Sequence, residues 1–566
     1  MDLYNQNISL PEHIGKFRLM TSDELLKLKN MYSLSMGVAE LEFCRNHYET
    51  VEKRDPVISE LRLLDDLISR GERSSAAFRI KNIKSESFEV GRTYEDAASK
   101  LSTLEKRAPY SFSEISSAAD LYIKRVGKKT STPSLYGKCS DNGKLEFAAK
   151  GARELVRLEF SDIDSGCSVG IPESPPLSRA EATESDAFVL VSSLGCDFSG
   201  DFSEELSKIL FAPRLRGLIK RAAPVEEGGV LPFLLSSAKG FFADISGFPG
   251  YDPNVRELRL LTRKIRSTVV LLCRKEALTA LANAVDDANL RFLFFGRPMK
   301  TANSSVRYAG MFPYMINADF LRSLSFCTYC DAVVRKKDDT ESESKITVKK
   351  SFIPDGIITV SVSPDEPSFH SVLLAVIRAV AEIAAAGVDF TDISVSFDSR
   401  LPLLGFDENR LGDALETLLG QYRAQAELCL LSEGSRERAT DNELSFAIYA
   451  RAKTKNLIPD VITKDSGSLS LLAPKTNESG MIDFDDLRRI LLLIAAGVRE
   501  NKISAIRISF GKDLENEIRK MAENAEISPK IEKSKLSPIV FIAESTEIDS
   551  SETVNFEKNH PNFNIL

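Results

Sequence analysis

Short apolar runs of strand length alternate with longer helix-patterned segments along most of this chain. That alternation restricts it to layered architectures in which helices cover sheets. Phe188-Val-Leu-Val191 reads as a buried strand before a glycine-containing loop, Thr268–Leu272 as a second strand, Lys275–Asn289 as a helix, and Phe292-Leu-Phe-Phe295 as a returning strand. The charged and polar stretch Lys336–Ser344 reads as a loop or linker, and the same grammar resumes beyond it. Helices are expected at Phe369–Gly387, with Gly387 as the C-cap, at Leu411–Glu427 and at Phe484–Glu500. Strands are expected at Ile393–Phe397, Leu444–Ala450, Leu469–Leu472 and Ala505–Ile508. The two blocks share this order of elements without an obvious sequence repeat. Ahead of them, Thr21–Tyr48 reads as helices, with Ser22 and Asp23 as caps for the first. Arg54-Asp55-Pro56 interrupts the pattern, and Val57–Leu67 resumes it with Ile58, Leu61, Leu64 and Leu67 at helical spacing. Beyond Ser545 the chain is polar and is expected to be loosely ordered.

At 566 residues the chain is expected to hold several domains, and 43% hydrophobic with 28% charged residues is a globular, soluble balance. A net charge of -8 argues against a nucleic-acid surface covering the whole protein. The first residues, Met1-Asp2-Leu3-Tyr4, show no basic region followed by an apolar run. The most apolar stretches, Ser371–Val388 and Ile490–Val498, are respectively interrupted by Arg378 and Glu382 and too short to span a bilayer. The expectation is a cytoplasmic protein with no membrane and no nucleic-acid partner. Its eight cysteines are scattered and read as buried thiols of a reducing compartment. The lone CxxC, Cys327-Thr-Tyr-Cys330, has no second pair nearby to complete a tetrahedral zinc set, and four isolated histidines supply no metal cluster.

The segment Lys53-Arg-Asp-Pro-Val-Ile-Ser-Glu-Leu-Arg-Leu-Leu-Asp65 resembles the linker of large-form phosphoribosylformylglycinamidine synthase, where the family has Lys-Arg-Asp-Pro-Thr-Ile-Thr-Glu-Ile-Arg-Met-Ile-Asp. Further matches follow in family order: Leu215-Arg-Gly-Leu-Ile-Lys-Arg221, Gly228-Gly-Val230, Leu418-Leu-Gly420 with Ala424-Gln425, and Ser445-Phe-Ala447. The resemblance covers roughly Met31 to Phe541. It implies an α/β (α+β) fold of paired halves like aminoimidazole ribonucleotide synthetase, preceded by a helical linker region. It divides the chain into an N-terminal helical region (1–130), a shortened first N-type subdomain (131–181), a first C-type subdomain (182–345), a second N-type subdomain (346–466) and a partial second C-type subdomain with tail (467–566). The family enzyme makes formylglycinamidine ribonucleotide in purine biosynthesis, an ATP- and magnesium-dependent amidation fed with ammonia by a C-terminal glutaminase. No glutaminase motif follows here.

The same resemblance shows what the chemical positions hold. The two histidines after the family linker correspond to Gly71 and Ser74, while Arg73 remains. In the family's phosphate and metal segment the lysine is Ala148, the histidines are Ala152 and Glu154, and only Glu159 matches a carboxylate. The magnesium-binding aspartate ahead of Gly228 and Gly229 is Pro224, the glutamate of the next helix is Ser236, and Leu261–Arg266 keeps only Arg266 of a polar motif. The glycine- and lysine-containing loop of the second half corresponds to Gly434-Ser435-Arg436-Glu437. The remnants of nucleotide and metal positions are therefore Arg73, Glu159, Gly228, Gly229, Arg266, His370, Gly434, Arg436 and Glu437. Apolar scaffold survives a change of identity when volume is conserved, whereas a magnesium–phosphate site does not survive loss of its ligands.

Some positions admit two readings. His370 is either a residual ligand contact or a partly exposed residue at a helix N-terminus. Asp398 is either a strand-end site residue or a cap. Arg214, Arg216, Lys220 and Arg221 form a basic helical cluster that either meets phosphate or is a solvated face. Gly195 either cradles phosphate or makes an ordinary turn. The expectation that results is a non-catalytic homologue acting as a binding or regulatory scaffold, for a purine-related ligand or a protein partner such as a genuine synthase or a glutaminase, with no cofactor assigned beyond the ATP and magnesium that the resemblance implies. The alternative is a reduced but active synthetase subunit using ammonia from a separate glutaminase.

Overall fold

The structure is a computed structural model. It describes residues 13–71, 75–126, 136–140, 152–159, 166–172, 182–193, 209, 213–216, 218–225, 228–248, 258–265, 268–307, 314–324, 328–335, 345–353, 356–404, 407–433, 435–454, 457–464, 466–477, 481–510, 514–522, 525–528, 537–545 and 552–558. The linker read at Lys336–Ser344 and the Gly195 loop lie outside these residues. The chain forms two compact units, one made of Met1–Phe78, Lys144–Arg153 and Pro172–Thr328, the other of Arg79–Gly143, Glu154–Ile171 and Tyr329–Leu566.

In chain order the first unit opens with helices α1 (Ser22–Tyr32), α2 (Val38–His47) and α3 (Ile58–Gly71). Thr21 and Glu24 close a reciprocal capping box ahead of α1, so the cap is Thr21 rather than Ser22 or Asp23, which lie inside the first turn. The second unit contributes β1 (Phe78–Ser85), α4 (Phe88–Thr103), α5 (Phe112–Val126), β2 (Tyr136–Ser140), β3 (Ala152–Glu159) and β4 (Gly166–Pro172). The strand β1 stands in a region expected to be helical, and its alternating Phe78 and Ile80 are buried while Lys81 and Lys84 are exposed.

The first unit resumes with β5 (Asp186–Ser193), α6 (Pro213–Arg216), β6 (Ile219–Pro224), α7 (Leu231–Ser237), β7 (Gly240–Asp244), β8 (Thr268–Arg274), α8 (Leu278–Asp287), β9 (Leu290–Met299), β10 (Asn303–Arg307), β11 (Tyr314–Asn317) and α9 (Ala318–Ser323). Its seven strands form one sheet in the order β11-β10-β7-β9-β5-β8-β6. β5 lies between β8 and β9 and is antiparallel to both, so β8, α8 and β9 form the strand–helix–strand crossover expected from sequence. The apolar runs in β5 and β8 are continuous because both faces of this sheet are covered. Ala187, Val189 and Val191 join Leu281 and Val285 of α8 in one core. Phe188 and Leu190 join Phe233 and Phe295 in another, to which the N-terminal helices supply Leu25, Leu41, Leu61 and Leu64.

The second unit continues through β12 (Thr328–Val334), β13 (Ile346–Ile353), β14 (Ile357–Pro364), α10 (Phe369–Ala385), β15 (Ser394–Leu401), α11 (Glu408–Leu428), β16 (Arg436–Ala439), β17 (Ser445–Lys453), β18 (Ser466–Leu472), α12 (Phe484–Arg499), β19 (Ile503–Phe510), α13 (Leu514–Ala522), β20 (Ala525–Ser528), β21 (Ile539–Ser545) and β22 (Glu552–Lys558). The strands form two five-stranded sheets, β13-β14-β17-β15-β16 and β19-β21-β18-β22-β20, a separate three-stranded sheet β2-β4-β3 and the pair β1-β12. The strand β22 corrects the expectation of a loose tail after Ser545. Val554 and Phe556 alternate with polar residues there, and the backbone pairs with β18 on one side and β20 on the other.

Helix α10 is apolar almost all round, and its environment explains why. It packs against α11, β14, β17, α12 and β19, leaving only His370, Leu374, Arg378 and Glu382 partly exposed. Those four recur every fourth residue and so form a single stripe. Ser368 and Ser371 cap its start, and Gly387 takes a left-handed φ of 92° beyond its end, as expected from sequence. Gly420 of α11 approaches the start of α10 so closely that a Cβ would lie 2.4 Å from the Phe369 carbonyl oxygen.

Candidate functional site

In the first unit, three of the resembling segments converge. Gly228 and Gly229 form a turn ahead of α7, both with left-handed φ, 96° and 65°. Gly229 sits against the backbone of Leu261–Arg263, where a Cβ would lie 2.3 Å from the Leu261 carbonyl oxygen. Thr262 is fully buried, and its hydroxyl donates to the Asp66 carboxylate on α3, the helix that carries the linker match. Arg259 Nη2 lies 3.9 Å from the same carboxylate. Separations of 30 to 200 residues along the chain make this meeting invisible to local pattern, though each segment is legible by itself.

The basic residues next to this turn are already engaged. Lys220 and Arg221 stand on strand β6, which corrects the helical reading of Arg214–Arg221; the helix there is only Pro213–Arg216. Lys220 Nζ is 2.7 Å from Asp186, a carboxylate with no solvent exposure. Burial raises the Asp186 pKa, but the bonds from Lys220 and from the Thr183 amide and hydroxyl outweigh it and leave the group below the usual carboxylate range. Arg221 donates to the Ser236 carbonyl at 2.7 Å and to Ser237 Oγ at 2.8 Å, and lies over the Phe233 ring. It thus holds the end of α7, where the resemblance places Ser236 at a glutamate position.

In the second unit the segment that resembles a phosphate loop is a strand. β16 pairs in parallel with β15, with Arg436 opposite Asp398 and Glu437 opposite Ser399. Arg436 grips Asp398 with two nitrogens, Nη2 to Oδ2 at 3.0 Å and Nε to Oδ1 at 3.2 Å. Asp398 has no exposed surface, and it lies within β15 rather than at a strand end or cap, which replaces both sequence readings of it. The preceding residues are also held: the Glu433 amide donates to the Val395 carbonyl, and the Phe397 amide donates to Ser435 Oγ. The Ser432 amide and hydroxyl donate to Asp120 of α5, whose pKa is raised by burial.

Beside this pair lies Arg451 of β17, 1% exposed, which the sequence analysis did not single out. It donates to Ser396 Oγ at 2.7 Å, to Ser394 Oγ at 3.0 Å and to the Glu433 carbonyl at 3.3 Å. The available signal was a lone arginine inside the apolar run Phe446–Ala452. Arg400, also on β15, pairs with Glu443 at 2.7 Å.

The other predicted positions scatter. Gly71 ends α3, and Arg73, Ser74, Arg266 and Gly434 lie outside the described residues. Ala152, Glu154 and Glu159 share β3, whose backbone alone is described. His370 is the second residue of α10 and partly exposed. Cys327 lies outside the described residues, while Cys330 is buried on β12 and its Sγ is 3.4 Å from the Arg79 carbonyl oxygen. Burial, with Asp331 nearby, pushes the Cys330 thiol up to about 11. Alkylation of Cys330 in the native chain is expected to be at least tenfold slower than after denaturation, measured by mass spectrometry after iodoacetamide treatment. Among the described residues no group of three or more His, Cys, Asp or Glu side chains is placed to hold a metal ion, and no described helix is long and apolar enough to cross a membrane.

No protein-family model matches the chain, and no curated protein matches its sequence. The architecture nevertheless defines a class: the chain has the mixed α/β fold of the PurL synthetases. The similar structures are PurLQS from Thermotoga maritima (TM-score 0.53, 10% identity, 90% of this chain and 98% of that one) and PurL from the same organism complexed with ADP (TM-score 0.54, 10% identity, 91% and 99%). Phosphoribosylformylglycinamidine synthase II from Thermotoga maritima matches equally well, at a TM-score of 0.53 over 90% of this chain. At 10% identity this likeness establishes the fold alone.

Proposed function

We propose that this chain is a phosphoribosylformylglycinamidine-synthase-like scaffold that has lost turnover and acts by binding, in the setting of purine biosynthesis. The Asp398–Arg436 pair carries this reading. A phosphate loop works because its backbone N–H groups and its cation point at the ligand. Here Arg436, at the position that resembles the loop lysine, is committed through Nε and Nη2 to a fully buried carboxylate. The backbone around it is part of a sheet. Turning those two nitrogens toward a phosphate would leave Asp398 buried without its partner, which costs several kcal/mol. The lost carboxylate at Pro224 and the lost glutamate at Ser236 point the same way, since magnesium needs oxygen ligands. On this reading the chain works in the cytoplasm, and a genuine synthase or a separate glutaminase of the same cell is the kind of partner its retained surface would meet.

The test is calorimetric titration of magnesium–ATP and ADP into the full chain, with and without formylglycinamide ribonucleotide, together with a phosphate-release assay. The expected result is no phosphate release and no micromolar nucleotide binding. Micromolar binding with release that rises on adding the ribonucleotide would establish a reduced but active synthetase subunit and overturn the proposal.

A further inference from the structure

The partly exposed stripe of α10 ends in a cleft lined by none of the positions named above as nucleotide or metal remnants. Arg378 and Glu382 form one wall with Lys350 of β13, and Arg507 and Phe510 of β19 form the other with Glu517 of α13. The cleft encloses about 410 Å³, within the range of small-molecule sites.

Its charges are unevenly satisfied. Arg507 is held on both sides, Nε to Glu517 at 2.6 Å and Nη1 to Asp460 at 3.2 Å, and Glu517 also receives Lys520 at 2.6 Å. On the opposite wall two cations share one carboxylate. Lys350 Nζ is 3.4 Å from Glu382 Oε2, and Arg378 Nε is 3.9 Å from Glu382 Oε1, beyond hydrogen-bond reach. Arg378 Nε is buried without a hydrogen-bond partner, and among the described residues its Nη atoms have none either. The guanidinium is stacked 4.3 Å from the centre of the Phe510 ring, which fixes its plane. Burial holds Arg378 below the usual arginine value, with Glu382 and Glu517 opposing that shift. A partly exposed guanidinium that lies over a ring and has no hydrogen-bond partner for its Nη donors is an arrangement that can receive a two-oxygen anion from the cleft.

We infer that this cleft binds a small oxyanion, a phosphate monoester or a carboxylate, through the free fork of Arg378, with Lys350 as second cation and Phe510 as the platform that orients the fork. The site is separate from the Asp398–Arg436 strand pair and does not depend on the loss of turnover.

The test titrates three probes into the full chain by calorimetry: inorganic phosphate, ribose 5-phosphate and succinate. Saturable binding at or below the millimolar range is expected for at least one, weakened tenfold or more in Arg378→Gln and in Arg378→Lys, the latter keeping the charge but not the fork. A preference for ribose 5-phosphate over succinate assigns the phosphate source, and the reverse assigns the carboxylate. Thermal unfolding of each variant checks the fold, and Phe510→Leu, which leaves every cation in place, is expected to weaken binding about threefold or more. No saturable binding by any probe at 10 times the millimolar range, or binding unchanged in Arg378→Gln, overturns the inference. Nucleotide heat that vanishes in Arg378→Gln belongs to this cleft, so the two proposals fail independently.

Discussion

Asp398→Ala is expected to destabilise the second unit by about 3–5 kcal/mol, the loss that follows when one partner of a buried ion pair is removed. The size comes from what is left behind. Arg436 keeps its charge, its side chain is only 17% exposed, and the two nitrogens that grip Asp398 lose that carboxylate. Ser394 and Ser396 lie on the same strand as Asp398 and accept from Arg451 of the adjacent β17, so this seam would then hold two arginines and have lost the Asp398 carboxylate. Urea unfolding followed by hydrogen exchange of β15 and β17 measures the loss. Replacing both partners, Asp398→Leu with Arg436→Met, is expected to recover most of it, because two apolar groups of similar size need no compensation. A double variant as unstable as the single one would show that the pair is not the source.

Phe188→Ala is expected to cost about 3–5 kcal/mol in the first unit. Phe188 is fully buried on β5, an interior strand of the seven-stranded sheet, and its ring lies 6.3 Å from Phe233 and 6.1 Å from Phe295. These contacts link α7 and β9 through one side chain, so its loss opens a cavity that cannot close without moving a strand. Phe294→Ala is the matched control. Phe294 is 47% exposed on the neighbouring strand β9, and its replacement is expected to change stability by no more than about 1 kcal/mol. Denaturant midpoints of the two variants, read by exchange protection of β5, would separate these outcomes.

Much of the fold was legible because its signals are local. Helix α10 showed its length, its apolar character and its terminating glycine within one stretch of chain. The runs Phe188–Val191 and Thr268–Leu272 were long enough to be strands and too apolar to be surface. Lys220 and Arg221 were misplaced because a basic run suits an exposed helix as well as it suits a strand, and the burial of Asp186 opposite Lys220 decided for the strand. The last strand was missed because its alternation is weak and its two neighbours, β18 and β20, lie elsewhere in sequence. The candidate site was legible only as a set of absences. What took the place of the absent groups, a buried pairing between residues 38 positions apart, follows from strand register, and register across β15 and β16 is not a property of either segment alone.

The place of β22 in its sheet has a consequence for how the chain is made. β20 reaches the rest of that sheet only through β22, and β22 is the last strand of the described chain to leave the ribosome. At roughly 5–20 residues per second, β20 emerges a few seconds before its partner exists. During that interval β18 presents an open edge, the surface that promiscuous strand pairing exploits. The final sheet therefore cannot close until β22 has emerged, because β20 has no other strand to join it.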